Sequence, residues 1–434
     1  MLTKSNIWHP CTQMKEHEVY PPLKVSKGTG SYLYTNQNNK VIDAISSWWC
    51  KNLGHNNPRV KQAIISQLDY LDHSMLSSTT NETIELLSKK LTSLYDGLDK
   101  IFYAGGDGSS AVEVSLKLSL HARKILGEEH KNSFISLSNS YHGDTCGAMS
   151  VSNNETINNT PYNEIMFNCY HINNIPYVSG SNDPLWSNCD EYWSKIEPEL
   201  NKRAYSTNAI ILEPIVQGAG NMKIYSKDFL KRLSGWAKKN DIFIIADEIM
   251  TGIGRTGKMF ACQHANIFPD FLCIGKGITS GALPMSMVLT NKKIYDVFYN
   301  DKSFLHSHTF AGNTLAAAAA SAVIDIMNKD NIVSYVNNIM GPYLYEKFSE
   351  IANDLGFISN IRSIGGIVAG DIEVKDQKNF SNRLSFEAQK RGALLRPLGN
   401  TIYWLPPLNC ELQTISDLAK ITHESLVNVT SRIK

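Results

Sequence analysis

The chain has 434 residues and carries 42 basic against 41 acidic side chains, so its formal net charge at pH 7 is only +1. A chain of this length exceeds one ordinary hydrophobic core and predicts two domains, or one large domain with a smaller one attached. The near-neutral charge argues against a nucleic-acid or membrane partner held by electrostatics and favours a small-molecule ligand.

The eight cysteines are spread along the chain without CxxC pairs or the spacing of metal ligands. This distribution argues against a zinc site and a disulfide framework, and it is typical of reduced thiols in the cytosol. The first residues, MLTKSNIWHP, lack the apolar core of a secretory signal, and no run approaches the roughly 20 apolar residues of a membrane span. We therefore expect a soluble cytoplasmic protein.

The N-terminal part predicts an irregular segment, a hairpin and two helices. Residues 31–44 contain two strand-like runs around an Asn-rich turn, which is a hairpin pattern. The adjacent Trp48 and Trp49 are equally consistent with core packing and with the wall of a substrate pocket. Apolar positions at helical spacing predict helices over residues 58–70 and 80–96.

A glycine-rich turn follows the predicted strand at residues 102–104. The letters GGDGS run from Gly105 to Ser109 and open a helix, SAVEVSLKLSLHARKIL. The free backbone N–H groups and the positive dipole end of a helix bind phosphate, although such a turn can also serve geometry alone. Because it lacks both GxGxxG and the lysine-bearing P-loop, the turn favours one phosphate rather than a dinucleotide or triphosphate.

The next predicted strand, residues 134–137, leads to Tyr141. Its ring lies one βα unit beyond the phosphate turn, where it can stack on a flat cofactor or serve a structural role. Residues 152–205 are rich in Asn, Ser and Pro and predict long connections with few helical turns. A strand at 209–216 and a helix at about 227–240 continue the β-α-β alternation of a parallel sheet.

Two apolar runs, residues 242–246 and 271–274, are each followed by a residue that an apolar environment does not favour. Asp247 follows the first run and Lys276 the second. The carboxyl ends of parallel strands are where ligands bind, so an acid and an amine there can face one small molecule. Pyridoxal phosphate (PLP) uses both groups, a lysine amine for an imine and a carboxylate for its ring nitrogen. The alternative is a helix-capping Asp and a solvated loop Lys.

The chain after Lys276 predicts a smaller C-terminal domain. The segment HSHTF, residues 306–310, precedes a helix of small residues, LAAAAASAVIDIM. Residues 330–434 alternate helices with short strands. Arg396 stands just before a proline, where its guanidinium can bind a substrate carboxylate or remain at the surface.

Together these motifs resemble those of the class III (subgroup II) PLP-dependent aminotransferases. The resemblance covers nearly the whole chain, through IWHPCTQMK, SSWW, FYAGGDGSSAVEV, SYHGDTCGAMSV, EPIVQGAG, ADEIMTGIGRTGKMFAC, GKGITSG, HSHTFAGN and LLRPLGNTIYWLPPL. It implies the α/β fold of type I PLP-dependent transferases, with a mostly parallel sheet in a large domain and a smaller α+β domain from the two chain ends. The expected parts are an N-terminal segment of the small domain at 1–55, the large PLP-binding domain at 56–310 and the C-terminal small domain at 311–434.

The resemblance also implies roles for single residues. Lys276 would be the imine-forming lysine, Asp247 the partner of the ring nitrogen, and Tyr141 an aromatic ring that stacks on PLP and lines the substrate pocket. The implied phosphate contacts are Gly108, Ser109 and, from the other subunit of a homodimer with shared sites, His308 and Thr309. The implied substrate contacts are Trp48, Ser307, Arg396 and Arg255.

The implied reaction is ping-pong transamination. Within the class, the YHGDTxGAMSV segment, the IWHP start and the SSWW pair are typical of the branch that converts 8-amino-7-oxononanoate to 7,8-diaminononanoate in biotin biosynthesis. The expected amino donor is S-adenosylmethionine, with lysine left open. Two alternatives remain: a class III aminotransferase for ornithine, 4-aminobutyrate or another ω-amine, and an α/β nucleotide-binding or regulatory protein with a structural Lys276.

Three positions depart from the family pattern. Cys11 stands where some members have a Tyr that hydrogen-bonds substrate, and Ser307-His308 replaces a Gly-Pro of some relatives. The turn AGGDGSS is one residue longer than the usual pattern. None of the three departures involves Asp247 or Lys276.

Overall fold

The computed structural model describes residues 6–154, 160–373 and 379–431, and its central element is a seven-stranded sheet. In order across the sheet, the strands are Lys100–Gly105, Ser286–Thr290, Phe271–Ile274, Phe243–Asp247, Thr207–Leu212, Ser133–Leu137 and Tyr170–Ile172. The five strands from Phe271–Ile274 to Tyr170–Ile172 pair in parallel. Ser286–Thr290 is antiparallel to both of its neighbours. The predicted mostly parallel sheet is thus confirmed, with one reversed strand that the sequence did not predict.

The central strands are buried on both faces, which explains their continuous apolar runs. Every residue of Thr207–Leu212 and of Phe243–Asp247 is buried. The helix Gly108–Ile125 packs across five of the seven strands. The other α-helices of five or more residues in the described part before residue 300 are Pro58–Leu68, Glu82–Thr92, Cys146–Ser150, Asp190–Asn201, Lys227–Lys239 and Lys292–Phe298.

The prediction for residues 152–205 was incomplete, because this segment contains a helix of 12 residues, Asp190–Asn201. Its buried side chains are Trp193, Ile196 and Leu200, which share one helical face. Pro198 inside the helix and the polar residues around it concealed this spacing in the sequence. Short strands also lie in this segment, and Tyr177–Val178 joins Lys223–Tyr225 and Val216–Gln217 in a small antiparallel sheet.

The two ends of the chain meet in a four-stranded sheet. The predicted hairpin forms from Tyr32–Thr35 and Lys40–Asp43, and Val25–Thr29 extends it on one side. On the other side Ala393–Leu394 pairs in parallel with Lys40–Asp43. A segment from the last tenth of the chain therefore completes a sheet that begins near residue 25.

The C-terminal part combines an antiparallel sheet with five α-helices among the described residues. The strands are Ile358–Ile364, Ile367–Ile372 and Thr401–Trp404, and the helices are Thr314–Lys329, Ile332–Tyr335, Gly341–Leu355, Phe380–Arg391 and Leu412–Ser431. The predicted small-residue helix is Thr314–Lys329, which packs against Pro58–Leu68 and Glu82–Thr92. Over the described ranges, no helix combines the length and apolar character of a bilayer crossing.

Candidate active site

Asp247 and Lys276 lie at the same edge of the central sheet. Asp247 is the last residue of Phe243–Asp247, and it is paired in register with Cys273 of the adjacent parallel strand Phe271–Ile274. Lys276 begins the short 3-10 turn that follows this second strand. The carboxylate and the amine therefore stand after neighbouring strand ends, where the sequence predicted a ligand site.

A histidine orients the carboxylate of Asp247. Nδ1 of His142 lies 2.8 Å from Oδ2 of Asp247, and Oδ1 accepts a hydrogen bond from the backbone N–H of Ile249 at 3.1 Å. Asp247 is 4% exposed and His142 is 2% exposed, so both contacts are shielded from water. His142 lies in the SYHGDTCGAMSV motif, whose sequence alone indicated no role for it. The structure makes it the direct partner of the acid.

Lys276 is half-buried, and burial lowers the pKa of its amine, with the nearby Asp247 and Glu213 carboxylates opposing that effect. A lowered pKa increases the fraction of neutral amine at neutral pH, which is the nucleophilic form. Nζ lies 5.3 Å from the centroid of the Trp49 ring. The indole thus forms one side of the space in front of the amine.

Glu213 is a second buried acid near the pair. Its Oε1 accepts a hydrogen bond from the N–H of Tyr141 at 3.1 Å, and its Oε2 accepts one from the N–H of Gly218 at 2.9 Å. Burial, with a contribution from Asp247, raises the pKa of Glu213 from 4.5 to about 7. The sequence alone indicated no function for Glu213, because its partners lie in distant segments.

The raised pKa of Glu213 predicts a pH dependence of stability. Between about pH 4.5 and 7 the folded protein retains a proton here that the unfolded chain has released, so this group lowers the free energy of unfolding as pH rises. Equilibrium urea unfolding of Glu213→Gln should show a slope against pH that is less negative by up to about 1.4 kcal/mol per pH unit. Glu129→Gln, at an exposed position, should keep the wild-type slope. Equal slopes for wild type and Glu213→Gln would contradict the assignment.

The predicted phosphate turn stands over the same edge. A Cβ on Gly108 would lie 2.8 Å from Cδ1 of Ile249, so the start of helix Gly108–Ile125 packs directly beside the residue that holds Asp247. Asp107 caps this helix, with its Oδ1 accepting from the N–H of Ser110 at 2.9 Å. Glycine at 108 is therefore required by close packing, and it brings the helix N-terminus to Asp247.

Ser109 joins the phosphate turn to the loop that carries Tyr141. Its Oγ accepts a hydrogen bond from the N–H of Asp144 at 3.1 Å, and Oδ2 of Asp144 accepts one from the Tyr141 hydroxyl at 2.9 Å. Gly143 has φ +127°, and a Cβ there would lie 1.8 Å from the Ser109 oxygen. Burial and Asp144 raise the pKa of Tyr141, so its hydroxyl stays protonated at neutral pH.

Trp48 and Trp49 lie on an unusual left-handed turn, Ser46–Trp49. The four φ angles are 49°, 52°, 88° and 69°, and each such non-glycine residue costs roughly 1–2 kcal/mol. The Arg396 guanidinium carbon lies 4.1 Å from the centroid of the Trp48 ring. Trp49 donates through Nε1 to the hydroxyl of Tyr403 at 3.0 Å. The turn therefore places the Trp48 indole beside Arg396 and the Trp49 indole beside Lys276. The contact between Trp49 and Lys276 was not predicted.

Ser307, His308 and Thr309 lie in an exposed segment. The His308 ring faces the phosphate turn of its own chain, because a Cβ on Gly105 would lie 3.4 Å from it. The carbonyl oxygen of Thr309 is 2.8 Å from Nε2 of His73. Their predicted roles in a neighbouring subunit remain predictions.

Arg255, a predicted substrate contact, lies inside the protein, and that role stays a prediction. It is fully buried, and its guanidinium donates to the carbonyl of Pro406 at 2.7 Å, the carbonyl of Gly366 at 3.3 Å and Oδ1 of Asn52 at 3.2 Å. Burial lowers its pKa to about 9. Arg255 thus connects N- and C-terminal segments, and this geometry gives no support to the predicted substrate contact.

The groups around Asp247 and Lys276 together fit a phosphorylated pyridine aldehyde such as PLP. A helix N-terminus, an oriented buried carboxylate and an amine of lowered pKa stand at one sheet edge, and these are the three groups that such a molecule needs. Gly108 leaves space at the helix start that a side chain would fill. Arg396 and Trp48 offer a cation and an apolar face for a substrate nearby.

Known proteins are similar to this chain in sequence and fold. The family model described as aminotransferase class-III matches residues 13–426. The adenosylmethionine-8-amino-7-oxononanoate aminotransferase of Helicobacter pylori is 39% identical over 409 residues, which cover 92% of this chain and 91% of the relative. The enzyme of the same name from Aquifex aeolicus is 35% identical, covering 94% and 92%.

Two solved structures have similar folds. The crystal structure of the adenosylmethionine-8-amino-7-oxononanoate aminotransferase from Methanocaldococcus jannaschii has a TM-score of 0.88 and 32% identity, covering 98% of this chain and 97% of its own. A PLP-bound amine transaminase from an uncultivated Pseudomonas species has a TM-score of 0.87 and 27% identity, with 100% of both chains covered.

Proposed function

Because this chain belongs to the class-III aminotransferases, we propose that it converts 8-amino-7-oxononanoate to 7,8-diaminononanoate for biotin biosynthesis in the cytosol. The proposed cofactor is PLP and the proposed amino donor is S-adenosylmethionine. The names of the Helicobacter pylori and Aquifex aeolicus relatives support both substrates. The PLP-bound structure of the Pseudomonas amine transaminase supports the cofactor.

The observation that carries the substrate proposal is the pair formed by Arg396 and Trp48. The guanidinium carbon lies 4.1 Å from the indole centroid, so a cation that binds a carboxylate stands against a flat apolar surface. A second indole, Trp49, extends that surface to Lys276. An apolar chain with a carboxylate at one end and a reacting carbonyl at the other matches this order of groups.

Each residue around Asp247 has a defined task in the proposed reaction. When bound, PLP supplies the electron sink that stabilises the carbanion at the carbon bearing the amine. Asp247, oriented by His142, holds a proton on the ring nitrogen of the cofactor. Nζ of Lys276 takes the proton from the donor carbon and delivers a proton to the acceptor carbon. The N-terminus of Gly108–Ile125 binds the phosphate, and Tyr141 covers the ring.

Turnover assays with purified holoenzyme test the proposal. Formation of 7,8-diaminononanoate from 8-amino-7-oxononanoate is measured by mass spectrometry, with S-adenosylmethionine or lysine as donor in separate reactions. We expect product with S-adenosylmethionine. Product with lysine but not with S-adenosylmethionine would overturn the proposed donor. The absence of product with both donors would overturn the proposed keto-acid substrate.

A second candidate function is transamination of another ω-amine. The fold similarity to the Pseudomonas amine transaminase, with a TM-score of 0.87 over the whole chain, supports it. A panel of ornithine, 4-aminobutyrate and simple amines, each with 2-oxoglutarate or pyruvate as acceptor, separates the two candidates. Turnover of a panel amine above that of the biotin-pathway pair would favour the second.

We also propose that the active enzyme is a homodimer with shared sites. The exposed segment at 301–310 carries Ser307, His308 and Thr309, and it includes Leu305, which is 87% exposed, and Phe310, which is 61% exposed. Large apolar side chains at that exposure are typical of a surface that a partner covers. A two-fold dimer would generate two equivalent sites, each completed by the segment of the other chain.

Mixing two inactive variants tests the shared site. In a hybrid of Lys276→Ala and Thr309→Arg chains, one of the two sites receives Lys276 and Thr309 intact from different chains. Activity should return toward half of the wild-type value per hybrid dimer, measured after subunit exchange has been verified by mass-tagged chains. No recovery despite exchange, or a fully active monomer, would contradict the shared site.

A further inference from the structure

The turn that carries the two indoles is strained at every residue. Ser46, Ser47, Trp48 and Trp49 all have positive φ, and none of them is glycine. Side chains avoid this conformation because Cβ crowds the carbonyl oxygen, so a run of four persists only where its surroundings determine it. The groups that hold the turn therefore also hold the indoles in place.

A buried carboxylate three residues before the turn, Asp43, supplies part of that restraint. Asp43 is fully buried, and its Oδ1 accepts from the backbone N–H of Ser47 at 3.0 Å and of Ile45 at 3.3 Å. Its Oδ2 accepts from Oγ of Ser47 at 2.9 Å and lies 2.7 Å from Nε2 of His55. Each oxygen of Asp43 thus has two hydrogen-bond partners, and two of the four bonds come from Ser47 and one from Ile45, the residue before the turn.

Further along, the turn is attached to the C-terminal part of the chain. Oγ of Ser46 donates to the carbonyl of Leu405 at 2.7 Å, and Nε1 of Trp49 donates to the hydroxyl of Tyr403 at 3.0 Å. These contacts fix two side chains of the turn, whereas the backbone N–H of Ser47 is held by Asp43. Trp48, the residue after Ser47, is 39% exposed, and its ring faces Arg396.

We propose that Asp43 is a positioning residue that sets the acceptor specificity of the enzyme by holding Ser46–Trp49 in its left-handed conformation. This inference rests on the proposed function, because it assigns Trp48 and Arg396 to the acceptor. A turn released from Asp43 relaxes toward right-handed φ angles and directs the Trp48 side chain away from Arg396. The acceptor then loses its apolar wall, whereas Asp247, Lys276 and the phosphate turn keep their own contacts.

The test is the steady-state kinetics of Asp43→Asn holoenzyme. One amide oxygen replaces two carboxylate oxygens, so at least one pair of N–H or O–H donors loses its acceptor. The KM for 8-amino-7-oxononanoate should rise about tenfold or more, as expected for lost hydrogen bonds to a charged group. The amount of PLP that borohydride attaches to the protein should remain at one per chain.

Two matched variants separate positioning from general stability. Asp371→Asn removes a carboxylate that accepts from Arg362 at 2.9 Å and from Thr401 at 2.7 Å in the C-terminal sheet. It should lower the melting temperature without changing the acceptor KM. Ser47→Gly in the Asp43→Asn background removes the steric cost of left-handed φ at residue 47, and it should bring the acceptor KM back toward the wild-type value.

The possible results are distinct. A KM for Asp43→Asn within twofold of wild type, or an equal rise for Asp371→Asn, would overturn the proposal. If Asp43→Asn does not fold, Ser47→Ala takes its place, because this variant removes one of the four hydrogen bonds to Asp43. An unchanged acceptor KM for Ser47→Ala would overturn the proposal. If the wild type does not use the keto acid, the proposed substrate fails, and the same variants are compared with the acceptor that the wild type does use.

Discussion

Lys276→Ala should have no measurable transaminase turnover, and its PLP should be bound without a covalent link. Only a primary amine forms the imine with the aldehyde, and only the same amine, at the edge beside Asp247, can move the proton between carbons. The expected loss is at least about 10⁴-fold in kcat, the upper range for a positioned acid-base group. Borohydride reduction followed by peptide mass spectrometry gives a second readout.

The matched control for this experiment is Lys258→Ala, which removes an exposed lysine. In wild type and in this control, reduction should attach PLP to the peptide that contains Lys276. In Lys276→Ala no peptide should carry it. Attachment of PLP to another lysine of the variant, together with residual turnover, would remove Lys276 from the proposed role.

Asp247→Asn should retain the shape of the site and lose most of its activity. The amide cannot supply the negative charge that keeps a proton on the ring nitrogen, so the carbanion loses its electron sink. His142, 2.8 Å from Oδ2, loses its carboxylate partner in the same variant. We expect kcat to fall by about 10²–10⁴-fold, while the phosphate contacts at Gly108–Ile125 keep PLP bound.

Asp270→Asn is the matched control for that variant. Asp270 stands at the opposite end of the same strand pair, where its Oδ2 accepts from the N–H of Ile244 at 2.9 Å. Its loss should affect stability and leave kcat unchanged. A kcat of Asp247→Asn near the wild-type value would show that another acid serves the ring nitrogen, and Glu213 would be the next residue to test.

The parts of the site that could be predicted are those whose residues lie close together in the sequence and form a recognisable motif. A buried strand followed by an acid or a lysine is visible in one stretch, and the rule for parallel sheets brings Asp247 and Lys276 to one edge. The glycine turn and its helix are likewise local. The role of Arg396 depended on the resemblance to a family rather than on its neighbours in sequence.

The parts that were missed depend on contacts between distant segments. His142 and Asp247 are 105 residues apart, and Glu213 and Tyr141 are 72 residues apart. Pairs so far apart leave no periodic pattern in the sequence. The left-handed turn Ser46–Trp49 was also invisible, because a run of Ser and Trp has no local preference for positive φ and is held by tertiary contacts. The burial of Arg255 is likewise not evident from its motif, and its substrate contact stays a prediction.

The attachment of the turn to the C-terminal part has a consequence for synthesis on the ribosome. The turn is encoded within the first fifty residues, but Ser46 bonds to Leu405 and Trp49 bonds to Tyr403. At the elongation rates of about 5–20 residues per second, these partners emerge roughly 20–70 s after the turn itself.

During that interval the nascent chain can assemble the central sheet, whose last strand ends at Thr290, but not the indole wall. A chain that ends just before residue 403 therefore has Asp247, Lys276 and the phosphate turn but lacks Leu405 and Tyr403, the hydrogen-bond partners of Ser46 and Trp49. Trp48 and Trp49 are thus the first aromatic residues of the site to be translated, but the C-terminal contacts that hold their turn form last.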